Sequence, residues 1–412
     1  MKLRSIPFAK IAPTLLAIIV DSMGFGLVYP ILVITLSNPH TPLLPPNSSV
    51  SLMHFYLGLG FLLYPFCMFF GASILGDLSD MWGRKKVMMI CMGGLCLSFL
   101  LMAFGIVASS LFFLMLGRAL SGLMAGAQPI AQAAICDLST EETKPKNMTL
   151  MTFTTSVGIV IGPLIGGLFS DPALVSFFNP STPLFVAAFI AFIAFLWIAV
   201  SFEETFVQRA VKKISPLHHL VIFLEAFRHP RVRSLSLIFL LMQVGFSLYF
   251  QLILVLLDQI HHYKSWQLGI FNGFVGFSFG IGLLLIMRIA LKYWEVEKVA
   301  IFSLFLTGVP QILSALFPNQ IFLWTLALPI GAFDMVAYTA LLTSYSNAAA
   351  TEKQGWVLGI SGSVMALSWT LSGLSTNLIS YIGLQGLILI GGLLLILSAF
   401  FMRRYVKSIQ TS

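Results

Sequence analysis

The chain has 412 residues and a formal net charge of +8, with 58% hydrophobic and only 9% charged residues. A soluble domain carries about 25% charged residues, so neither a water-soluble fold nor a disordered chain fits this composition. An all-α polytopic membrane protein remains, at roughly 20 apolar residues per helical span.

Twelve apolar segments follow in chain order: 11–36, 52–76, 87–108, 111–134, 149–170, 183–202, 234–257, 266–287, 299–317, 320–346, 356–379 and 382–402. Each is long enough to cross about 30 Å of hydrocarbon. Backbone groups in lipid must be paired within the segment, so each reads as a helix, and the alternation of a β-barrel is absent. The first run is too long for a cleavable leader and lacks a small-residue cleavage site, so it is expected to stay as the first span. The organisation reads as a six-helix bundle over 1–202, a cytoplasmic linker over 203–233 and a second six-helix bundle over 234–412.

Lysine and arginine set the orientation. With the N-terminus inside, all but two of the 23 basic residues fall on cytoplasmic segments; Lys264 is external and Arg118 lies within a span. Both termini are then cytoplasmic. Positive charge confined to short loops speaks for topology and against nucleic acid. Short loops and the lack of tails point to a bacterial inner membrane. Cys67, Cys91, Cys96 and Cys136 have neither disulfide nor metal spacing, and no cofactor or metal site is expected.

Along the chain, the first span contains Asp21 within Asp21-Ser-Met-Gly-Phe-Gly-Leu-Val-Tyr29-Pro30. A tight loop after the second span reads Gly76-Asp77-Leu78-Ser79-Asp80-Met81-Trp82-Gly83-Arg84-Lys85-Lys86. Gly83 permits a positive φ there, and Asp80 is placed to accept from a helix N-terminus or an arginine. The fourth span carries Arg118, with Gln128 and Gln132 beyond it; Arg118, Ala125 and Gln132 recur at sevens, hence on nearly one face. The fifth span reads Gly158-Ile-Val-Ile-Gly162-Pro163-Leu-Ile-Gly166-Gly167. Its glycines form a bare stripe that admits close backbone approach, and Pro163 bends the helix. The linker has an apolar stretch at 217–224 suited to a short interfacial helix, and His218 and His219 read as a solvated pair. Gln243, Ser247 and Gln251 repeat along one face of the seventh span, Asn272 lies on the eighth, and Asp334 and Tyr338 stand one turn apart on the tenth. These polar groups line a substrate cavity or serve as interhelical hydrogen bonds.

The 76–86 stretch resembles motif A of the major facilitator superfamily, with Gly76, Leu78, Asp80, Gly83, Arg84 and Lys85 matching and Met81 departing. The resemblance implies a conformational latch, with Asp80 facing the start of the eleventh span near Gly355 and Trp356. The fifth-span stripe matches motif C of that family, which is associated with antiporters that export substrate. The contexts of Asp21 and Arg118 are similar to those in twelve-helix drug:proton antiporters, tetracycline exporters among them. The implied fold is two six-helix bundles with a site between them, and the implied state is a monomer.

Only Asp21, Arg118 and Asp334 are charged residues deep in spans, each costing about 2.5–3.5 kcal/mol at a helix centre. By helical rise Asp21 lies about 15 Å from the inner end and Arg118 about 10 Å from the outer. Their depths are close enough for the arginine to reach the acid. The pair then reads either as a proton switch biased by Arg118 or as a static ion pair. Asp334 reads as a second proton site, a counter-charge for a cationic substrate, or a neutral structural acid. No ATP-binding loop is present, so an ion or substrate gradient must supply the energy. No nucleophile–base spacing suggests an enzyme. The expected activity is proton-coupled antiport of a small lipophilic or cationic compound, its partners being that substrate, protons and the lipid bilayer. A metabolite importer or a siderophore transporter of the same fold is the alternative.

Overall fold

The computed structural model describes the backbone of residues 8–38, 41–140, 143–206, 230–348 and 354–410. The apolar linker stretch 217–224 with His218 and His219 lies outside these residues, and at Gly355 and Trp356 only the helical backbone is described.

The described chain is helical throughout: α1 Phe8–Leu36, α2 Val50–Trp82, α3 Arg84–Val107, α4 Leu111–Leu123, α5 Ala127–Leu138, α6 Lys144–Leu168, α7 Thr182–Ser201, α8 Pro230–His261, α9 Ser265–Ile281, α10 Met287–Tyr293, α11 Val296–Leu316, α12 Gln320–Asn347, α13 Gln354–Ser375, α14 Ile379–Ile382 and α15 Leu384–Gln410. Among the described residues, eleven segments are long and apolar enough to cross a membrane. The helix Gln354–Ser375 stands at the remaining predicted span. The architecture is therefore all-α with twelve spans in two bundles.

Helices outrun the apolar segments read from sequence. The second reaches Trp82 rather than residue 76, so Gly76 to Trp82 is helix and only Gly83 turns, at φ 97°. Helical hydrogen bonds persist beyond the hydrocarbon edge, and hydropathy does not sense that. Two spans are interrupted. A π turn over Gly282–Ile286 joins α9 to α10. The fourth span is not one helix: residues 124–126 break it into α4 and α5. Pro129 has no N–H to return to the Ala125 carbonyl, and its ring collides with that carbonyl in a continuous helix. The sevens spacing from Arg118 to Gln132 therefore counts through a break and fixes no common face.

The fifth-span stripe makes α6 the wedge of the fold. A Cβ at Gly158 would meet Ser22 and the Ile19 carbonyl, at Gly162 the Met23 carbonyl, and at Gly166 the Leu27 carbonyl, all on α1. Pro163 fills the space beside Gly26. One residue on, Gly167 lies against Ser265 and Gly269 of α9 in the other bundle. On the opposite side of the molecule Gly58 of α2 meets the Gly373 carbonyl of α13, and His54 Nδ1 lies 3.3 Å from Ser380 Oγ. Both inter-bundle seams thus close at the end remote from the termini.

Candidate functional site

The break in the fourth span starts a new helix inside the protein. Its first N–H groups lack partners within α5 and carry the positive end of the helix dipole. Asp21 of α1 faces them. Its Oδ2 accepts the Gln128 backbone N–H at 2.8 Å, and its Oδ1 has no partner in the protein. The carboxyl group is buried, at 7% exposure. That hydrogen bond is stronger to the charged carboxyl than to the protonated one.

Arg118 is not the partner of Asp21. It is fully enclosed, and its Nε donates to the Gly60 carbonyl at 3.0 Å. The guanidinium carbon stands 4.8 Å from the Tyr64 ring centre and 5.5 Å from that of Tyr29. Both terminal guanidinium nitrogens lack a protein hydrogen-bond partner. The expected reach to Asp21 fails for a local reason. The Gly60 carbonyl anchors the cation between two aromatic faces, while the acid turns one oxygen to the broken helix. Tyr64 lies within electrostatic range of both charges and stands as their common neighbour.

Tyr29 and Tyr64 belong to an aromatic plug that sequence reasoning left unassigned. Phe25 touches Trp369 of the second bundle with ring centres 4.9 Å apart, and Tyr64 at 5.6 Å. Tyr29 packs on Phe250 at 5.4 Å and on Phe61 at 5.2 Å. Phe250 in turn meets Trp369 at 5.5 Å. Rings from α1, α2, α8 and α13 thus interlock where the bundles meet. Their signal lay in sequence only as aromatic residues spread over four spans, without any spacing to group them.

The remaining residues divide. Gln251 is buried beside the plug, donating to the Trp369 carbonyl at 3.4 Å and accepting from Ser372 Oγ at 3.0 Å. It is an inter-helix tie. Ser247 Oγ bonds the Val244 carbonyl of its own helix. Gln243 is buried on the same helix, and Asn272 on α9 is buried with an unpartnered Nδ2. Gln128 and Gln132 lie half-buried on α5. Asp334 is buried on α12 with one oxygen unpartnered, one turn from Tyr338, whose ring packs at a tilt on Phe239 at 5.7 Å. The helix turn after Asp334, with Val336, Ala337 and Tyr338, packs into a second hydrophobic core within the second bundle. Gln311, unremarked in sequence, donates to the Gly245 and Ile388 carbonyls at 2.9 and 3.1 Å and ties three helices of that bundle together.

The stretch at Gly83 forms a separate cluster at the end carrying the termini. Arg84 pairs with Asp80 at 2.9 Å and with Asp137 at 3.5 Å, and covers the Phe206 ring at 4.8 Å. Glu204, beyond the end of α7, accepts the Arg84 and Lys85 backbone N–H groups at 2.8 and 3.2 Å. It caps α3 from across the bundle. Gly83 admits this carboxylate, because any Cβ there would strike it. Gly76 has nothing near its missing side chain. The acidic pair Glu203-Glu204 directly after the sixth span was the available signal.

The model of the Major Facilitator Superfamily matches residues 14–373, and the chain belongs to that family. Membership sets it among integral membrane transporters, not enzymes. It is 30% identical over 187 residues to the class B tetracycline resistance protein of Escherichia coli, covering 45% of this chain and 42% of that one. It is 32% identical over 157 residues to the class H protein of Pasteurella multocida, covering 38% and 36%. The match thus spans less than half the length of these relatives. Among solved structures it resembles a D-xylose-proton symporter, with a TM-score of 0.75, 12% identity and 97% of each chain covered. It also resembles the human organic anion transporter MFSD10, with a TM-score of 0.70, 19% identity and 96% and 99% covered. These structural likenesses concern the fold.

Proposed function

We propose that this protein is a proton-coupled antiporter that exports a small lipophilic or cationic compound by alternating access. The observation that carries the reading is the Asp21 carboxylate on the N-terminus of the broken fourth span. A charged Asp21 ties α1 to α5. A proton neutralises it, weakens the bond to Gln128 and frees α1, which α6 in turn couples to the second bundle through its glycine faces. Proton uptake is thereby linked to movement at the inter-bundle seam. The aromatic plug and the two seams form the gate at the end remote from the termini. The Arg84 cluster is the opposing latch.

Arg118 acts in this scheme by holding Tyr29 and Tyr64 in place rather than by pairing with the acid. Asp334 is a second protonatable group within its own bundle. Gln128, Gln132, Gln243, Gln251, Asn272 and Tyr338 supply polar contacts to the substrate path, and apolar aromatic walls suit a lipophilic compound. The tetracycline resistance relatives support export of a drug-like substrate. The protein works as a monomer in a bacterial inner membrane with both termini cytoplasmic. Flux in proteoliposomes with an imposed pH gradient tests the reading, using a panel of lipophilic cations, tetracyclines and siderophores. Uphill movement of substrate against the proton flow supports it, and substrate moving with the proton flow refutes antiport in favour of import.

A further inference from the structure

A groove of about 500 Å³ runs along the outer face of the first bundle, lined by Trp82, Lys86, Met89, Ile90, Gly93, Gly94 and Phe195. It plays no part in the scheme above. Its chemistry is graded along α3. Lys86 and Trp82 stand at the mouth, both exposed. Met89 and Ile90 follow one turn on, and Gly93 opens the floor next to Gly94, which is itself packed against Met124. From Lys86 to Gly94 the helix rises about 12 Å. Phe195 of α7 closes the far side, six residues before that helix ends, at about 9 Å depth. The slot thus begins at headgroup level, where tryptophan and lysine anchor, and descends into hydrocarbon. Its wall is apolar and its mouth carries one cation. Lys86 has no ion pair or hydrogen bond among the described residues.

We infer that this groove binds one anionic glycerophospholipid, with an acyl chain along Gly93–Gly94 and the phosphate on Lys86. An apolar groove with a single ammonium at its mouth complements an anionic amphiphile. A zwitterionic lipid lacks the net charge to match it, and a soluble anion lacks the chain. The occupant also bridges α3 and α7, the two helices that Glu204 joins through the Arg84 and Lys85 N–H groups. Bound lipid therefore braces that joint.

The test uses the full chain purified in detergent, with thermal unfolding followed as lipid is added. Phosphatidylglycerol is expected to raise the midpoint more than phosphatidylcholine, and glycerol phosphate to leave it unmoved. Lys86→Gln is expected to cut the preference for phosphatidylglycerol about fivefold, the share of one basic residue near an anionic surface. Gly93→Leu fills the slot. A Cβ at Gly93 meets the Phe195 ring at an ordinary 3.6 Å, so the backbone admits a side chain there, and the midpoint without lipid serves as the folding control. It is expected to lose the stabilisation by phosphatidylglycerol. A phosphatidylglycerol with a photoreactive acyl chain should label Met89, Ile90 and Phe195 in the wild type and lose that labelling in Gly93→Leu. Equal stabilisation by both lipids that Lys86→Gln leaves unchanged overturns the inference. So does stabilisation by glycerol phosphate alone, or labelling spread evenly over the outer helices. None of these readouts depends on transport, so they stand apart from the antiport reading.

Discussion

Asp21 and Gln128 are joined across the break in the fourth span, side-chain oxygen to main-chain nitrogen, at 2.8 Å. The bond sets a titratable acid of one helix against the dipole of another, and it exists only because that second helix starts inside the protein.

Replacing Asp21 by asparagine keeps an oxygen to accept the Gln128 N–H but removes the charge. We expect a folded protein whose unfolding midpoint changes little and whose pH-driven transport is abolished, while exchange down a substrate gradient persists. Asp21→Ala also strands a buried N–H, at about 1–3 kcal/mol, and should lower the midpoint. Retention of pH-driven uphill flux by Asp21→Asn would remove this residue from the coupling.

The sign of the pH response follows from the same bond. It is strongest with the carboxylate charged and weakens when the carboxyl takes up a proton at low pH. A pair of spin labels on α1 and α5 should separate on acidification in the wild type. In Asp21→Asn their distance should not vary with pH. A wild-type distance indifferent to pH would break the proposed link between proton and helix movement.

Arg118 fills its site through shape as well as charge. Lysine carries a point charge and no planar fork, so it cannot bond Gly60 and face both tyrosine rings together. Arg118→Lys should destabilise the protein by about 2 kcal/mol, the scale of a desolvated cation–π contact. Thermal unfolding measures this, and a midpoint equal to wild type would mean the rings hold themselves.

Two glycines that look alike in sequence should respond oppositely to alanine. Gly162 lies against the Met23 main chain, whereas Gly76 has open space. Gly162→Ala should cost about 1–3 kcal/mol through overpacking. Gly76→Ala should be neutral or gain about 0.5–1 kcal/mol, the usual cost of a glycine inside a helix. Parallel denaturation of the two variants in the same detergent decides it.

Glu204 caps α3 in trans, so Glu204→Ala should cost about 0.5–2 kcal/mol, in the manner of a lost N-cap. Glu204→Gln should lose less, because an amide oxygen still accepts. If the two variants unfold together at the wild-type midpoint, the cap contributes nothing.

Composition and periodicity alone determined the class of this protein. Residues in lipid must satisfy their own backbones, so twelve apolar runs became twelve spans, and the bare faces of Gly158, Gly162 and Gly166 marked where helices would touch. Tertiary structure decided which group answers which. The partner of Asp21 is a backbone N–H freed by Pro129, and a backbone amide has no letter in the sequence. The neighbours of Arg118 are a carbonyl and two ring faces from other helices, and α3 takes its cap from a glutamate more than a hundred residues along the chain. Local hydropathy reports whether a segment enters the membrane. It carries no information on the rotation of one helix against the next, and that rotation selects the partner of every buried charge.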